Sequence, residues 1–83
     1  MIDANKINNL IEGLTKAIET EYPNNTNADR RYVLLMNLRH TLCDIKSGWI
    51  SDDVKTVRVR NLDGMVKYYT RDELADFTEK LLQ

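Results

Sequence analysis

One stretch limits what this chain can fold into more than any other: VRVRNLDGMVKYYT, from Val57 to Thr70. Apolar and basic residues alternate up to Asp63-Gly64, and the chain returns through Val66, Tyr68 and Tyr69, the pattern of a two-stranded hairpin. A lone hairpin is marginal in water, so other elements must cover one of its faces. Asp63-Gly64 suits a two-residue type I′ turn. That register sets Val59 opposite Tyr68, Val57 opposite Thr70 and Asn61 opposite Val66, so that Val57, Val59, Val66 and Tyr68 dock on the rest of the protein. The outer face then carries Arg58 opposite Tyr69 and Arg60 opposite Lys67, with Leu62 and Met65 at the tip. A second register also fits, in which Asn61 to Gly64 form a type I turn with a glycine bulge and Val59 meets Lys67. The first keeps apolar and charged residues apart and is the expected one.

The elements that cover the hairpin read as helices. Ile7, Leu10, Ile11, Leu14, Ala17, Ile18 and Tyr22 recur three and four apart, which predicts a helix over about 4–21. Asp3 suits its N-cap and Pro23 its stop. Gly13 costs about 1 kcal/mol relative to alanine inside a helix, which suggests close packing there. Residues 23–27 read as a linker. A second helix is expected over about 28–47, opened by capping-box spacing between Thr26 and Asp29 and closed by Gly48. Its strong apolar stripe is Leu34, Leu35, Leu38, Leu42 and Ile45. A weaker stripe of Tyr32, Val33, Met36, His40 and Cys43 lies roughly opposite, so this helix is expected to be covered on two sides. Thr70 and Glu73 form a capping box for a last helix over about 71–82, with Leu74, Phe77 and Leu81 facing inward. With the hairpin at about 54–69, the 83 residues are expected to form one α+β domain in the order helix, helix, hairpin, helix.

Few of these residues suggest chemistry. His40 and Cys43 share a helix face, but two ligands do not close a tetrahedral site, and the pair reads as a half-buried histidine beside a core thiol. Asp52 and Asp53 read as turn residues. The three glycines are isolated and make no phosphate loop. The expectation is a protein that is not an enzyme and uses no cofactor or metal. The sole cysteine argues against a disulfide framework, and no basic segment followed by an apolar run opens the chain, which predicts a cytoplasmic or virion location. The longest apolar run, Val33 to Met36, is too short to span a bilayer.

What remains is contact surface. Net charge is only −1, but residues 1–22 sum to −2, residues 23–48 and 49–71 each to +2, and residues 72–83 to −3. Arg58, Arg60, Lys67, Tyr69 and Arg71 would make a basic face with one aromatic, which reads first as a solvated charged strand, then as fit for an acidic protein surface and, less well, for nucleic acid. Like charges facing each other at Arg60 and Lys67 would favour an outside partner. Tyr32 and Met36 on the weaker stripe are further candidates. Trp49 reads first as a plug closing the end of the second helix, and otherwise as an exposed anchor.

LCDIKSG at 42–48, TVRVRNLDGMVKYYT at 56–70 and RDELADFTEKLL after it form a helix, a hairpin around Asp-Gly and a capped helix. This segment, Val33 to Leu82, resembles the head–tail joining protein W family of phage lambda; helix one lies outside the resemblance. It implies a virion assembly protein that connects portal and neck proteins, or further copies of itself, by surface contacts. A small phage-encoded inhibitor of a host defence protein is the alternative, and a nucleic-acid-binding accessory protein a weaker one.

Overall fold

Helices form where apolar spacing and capping agree. The computed structural model describes residues 3–24 and 29–83. The first helix, α1, is Ala4–Glu21; Asp3 caps it by accepting the Asn5 N–H at 2.7 Å. The second, α2, is Arg30–Ser47, and the third, α3, is Arg71–Leu82. Asp29 caps α2 by accepting the Tyr32 N–H at 2.9 Å. The expected capping box made Thr26 the cap and Asp29 its fourth member; Thr26 lies outside the described residues, and Asp29 is itself the N-cap. Gly48 ends α2 with φ 86° and ψ 4°, the left-handed geometry that stops a helix without steric cost. Both halves of the α3 capping box are made: Glu73 N–H to Thr70 Oγ1 at 3.2 Å, and Thr70 N–H to Glu73 Oε1 at 2.9 Å.

The α+β class and the helix, helix, hairpin, helix order are as expected. α1 packs against both α2 and α3, β1 (Val57–Arg60) rests on α2, and β2 (Val66–Tyr69) rests on α3. Between them lie Ile7, Leu10, Leu14 and Ile18 of α1, the α2 leucines, Val57 and Val59, and Leu74 and Ala75 of α3. α2 packs against α1 and β1, but its weaker stripe is not the covered face expected of it: Tyr32 and Met36 are half-buried, and Val33, His40 and Cys43 are exposed.

Gly13 lies at the α1–α3 seam, where an added Cβ would sit 3.0 Å from Leu82 Cδ1. Gly13→Val should therefore lower the thermal midpoint despite valine's better helix propensity, because overpacking costs about 1–3 kcal/mol. Parallel thermal melts would check this.

The hairpin departs from expectation. Val57 pairs with Tyr69, Arg58 with Tyr68, Val59 with Lys67 and Arg60 with Val66. This is the bulged register, closed by Gly64 N–H to Asn61 C=O and Asn61 N–H to Met65 C=O, both at 2.9 Å. A type I′ turn needs positive φ at Asp63 as well as at Gly64, whereas a bulged turn needs it at the glycine alone, which here takes 84°. The Asp63 carboxylate instead accepts the Met65 N–H at 2.9 Å. The cost in face segregation is small, because Lys67 shares the face of Val59 yet remains exposed, its head free to reach water.

Candidate protein-binding surface

The bulged register exchanges the two tyrosines. Tyr69, expected on the outer basic row, turns inward, where its ring stacks on Phe77 with centroids 5.1 Å apart and its hydroxyl accepts from Asn61 Nδ2 at 3.3 Å. Tyr68, expected to dock on the helices, is 66% exposed and faces Arg58. Arg60 now faces Val66, and Lys67 lies on the other side of the strand. The like-charge pair expected there does not form, and with it goes that argument for a partner.

Arg71 also leaves the expected basic face. It is half-buried, and its guanidinium donates to three backbone carbonyls: Val54 at 2.7 Å, Ser51 at 2.9 Å and Ile50 at 3.5 Å. Those carbonyls belong to the loop that follows α2. Within the loop, Val54 N–H bonds Ser51 C=O at 3.0 Å and Asp53 N–H bonds Ser51 Oγ at 3.2 Å. At its start, Ile50 N–H returns to Asp44 C=O at 3.2 Å and the Ile50 side chain packs on the core. Ile50 thus fills the place expected for Trp49. The indole points outward and is 84% exposed, with the exposed Val54 in the same loop.

A second apolar group lies at the other end of α2. Val33, Leu62 and Met65 are exposed. The Arg30 guanidinium donates to Leu62 C=O at 3.2 Å and that of Arg60 to Gly64 C=O at 2.9 Å, which fixes the hairpin turn beside the start of α2. Between them is an open groove of ≈440 Å³ lined by Asp29, Arg30, Val33, Arg60, Asn61 and Gly64. Sequence reasoning passed over Arg30 and this groove. Its walls come from segments some thirty positions apart, and nothing local signals their meeting.

Tyr32 and Met36 are half-buried, Tyr32 lying edge-on to Tyr22 with centroids 5.1 Å apart at 67°. His40 and Cys43 are both exposed, against the expectation of a half-buried pair, and His40 Nε2 lies 3.4 Å from Asp44 Oδ2. Among the described residues, no group of three or more His, Cys, Asp or Glu side chains could hold a metal ion, and no helix is long and apolar enough to cross a membrane.

Charged contacts join the end of α1 to the start of α2. Arg31 grips Glu21 through two bonds, 2.7 and 3.1 Å, and this holds the Glu21 carboxyl below its usual range. The Tyr22 hydroxyl donates to Asp29 Oδ1 at 2.7 Å. That bond first, and the Tyr32 N–H second, lower the Asp29 carboxyl, while Asp29 raises the Tyr22 hydroxyl. A depressed carboxyl contributes stability above its unfolded value and loses it as pH falls. Stability should therefore decline as pH drops below about 4, and Asp29→Asn should flatten that decline. Urea midpoints between neutral and acid pH would check it.

No family model, curated protein or solved structure matches this chain.

Proposed function

We propose that this protein acts by docking on other proteins, as a small connector of the head–tail joining kind that its second half resembles, and carries out no chemistry of its own. The supporting observation is Trp49: an indole 84% exposed on a loop anchored by Arg71 and Ile50. Tryptophan is favoured where a few side chains carry most of the binding energy. A loop already held by its own hydrogen bonds also loses little freedom on binding, so more of the contact energy appears as affinity. Nucleic acid is less well supported, because Arg60 is tied to its own turn and Lys67 and Arg58 lie on different faces.

The experiment is binding to purified portal and neck proteins, followed by mass measurement of the mixture. A defined complex is expected, and Trp49→Ala should weaken it at least tenfold while leaving the thermal midpoint unchanged. Indifference to both proteins, together with capture of one host protein through Trp49, would overturn the connector reading in favour of the inhibitor one.

A further inference from the structure

We infer that the groove between the start of α2 and the hairpin turn receives the Trp49 loop of a second copy of this chain, so that copies associate head to tail. This rests on reading Trp49 as a docking residue, and it adds where that residue goes.

The groove selects its occupant by charge and shape: its two guanidiniums, Arg30 and Arg60, outnumber the Asp29 carboxylate, whose Oδ1 is taken up by the Tyr22 hydroxyl and the Tyr32 N–H. Arg30 and Arg60 are each held by a bond to a turn carbonyl, and among the described residues neither has a carboxylate partner. Their remaining N–H groups suit a carboxylate, which guanidinium binds in a fixed fork. Val33 gives the same groove an apolar wall, and the exposed Leu62 and Met65 belong to the adjoining turn. An occupant should therefore carry a bulky apolar side chain with acidic groups close behind it.

The chain itself holds such a segment. Trp49 is followed at three and four residues by Asp52 and Asp53, both exposed and neither in an ion pair among the described residues. The loop cannot reach the groove of its own copy. The two lie at opposite ends of α2, whose 18 residues span about 27 Å, and both ends are fixed by hydrogen bonds. The contact must then join two copies, and it is heterologous: each copy offers one Trp49 loop and one groove, so association continues until it closes or is capped.

The test is sedimentation velocity on the full chain over a wide concentration range, at low and high salt. The mass of the wild type should rise with concentration, less so at high salt. Trp49→Ala should stay monomeric, as should the double variant R30E with R60E, or Val33→Glu if that pair fails to fold. An equimolar mixture of Trp49→Ala with a groove variant should give dimers and nothing longer, since one supplies only a groove and the other only a loop. A wild type that stays monomeric overturns the inference, as does assembly that survives both kinds of variant or a mixture no heavier than its components. A monomeric wild type that still binds a partner through Trp49 would overturn self-association alone and leave the docking function standing.

Discussion

Leu38→Ala is expected to lower unfolding free energy by about 2–5 kcal/mol, seen as a large fall in the urea midpoint at unchanged slope. Leu38 is fully buried, as are Leu34 and Leu42 one turn to either side. It sits on the helix that packs against both α1 and β1, so neighbours on two sides would have to move to close the cavity, and the upper part of that range is expected. A domain of 83 residues has only about 4–12 kcal/mol in total, so this one truncation removes a third or more. Val33→Ala on the same helix is the control. Val33 is half exposed, and its loss should change stability by about 0.5 kcal/mol or less. A cost at Leu38 no greater than at Val33 would mean that the core does not run through the middle of α2.

Those leucines were legible because helical periodicity and capping are local. The same holds for α1 and α3, where Asp3, Thr70 and Glu73 mark the ends they were expected to mark. The hairpin was legible as a hairpin but not in its register. Two turns fit NLDG, and sorting side chains by polarity favours the two-residue one. The bulged turn instead requires a left-handed position of Gly64 alone and lets the Asp63 carboxylate accept the Met65 N–H. The slip by one residue carried Tyr69 inward and Tyr68 outward, which shows how far a site assignment on a strand depends on its turn. Trp49 takes the second of its two expected readings, the exposed one, and Arg71 leaves the basic face, and neither outcome is signalled locally. After the left-handed Gly48 one of two adjacent apolar residues turns inward, and composition alone does not say whether it is Trp49 or Ile50. Arg71 has the charge of a surface residue, and only the fold brings three loop carbonyls within its reach.

Arg71→Ala should therefore act on Trp49 without touching it. Removing the guanidinium leaves the carbonyls of Ile50, Ser51 and Val54 without their charged donor. Hydrogen bonds to charged groups contribute about 1.5–3 kcal/mol each at full strength, and the two bonds of 2.9 Å or less should supply most of the loss. The change should be local, because the capping box of α3 is built from Thr70 and Glu73 and survives it. Amide hydrogen exchange at Asp53 and Val54 should accelerate by tenfold or more, while amides in the middle of α2 keep their protection. Any partner held through Trp49 should bind more weakly, since the loop must now be ordered on binding. Arg71→Lys keeps the charge but not the fork that spans three carbonyls, so it should recover only part of the protection. Unchanged exchange at Asp53 and Val54 in the alanine variant would mean that Gly48 and Ile50 alone hold the loop, and the indole would then owe its position to the helix stop instead of to α3.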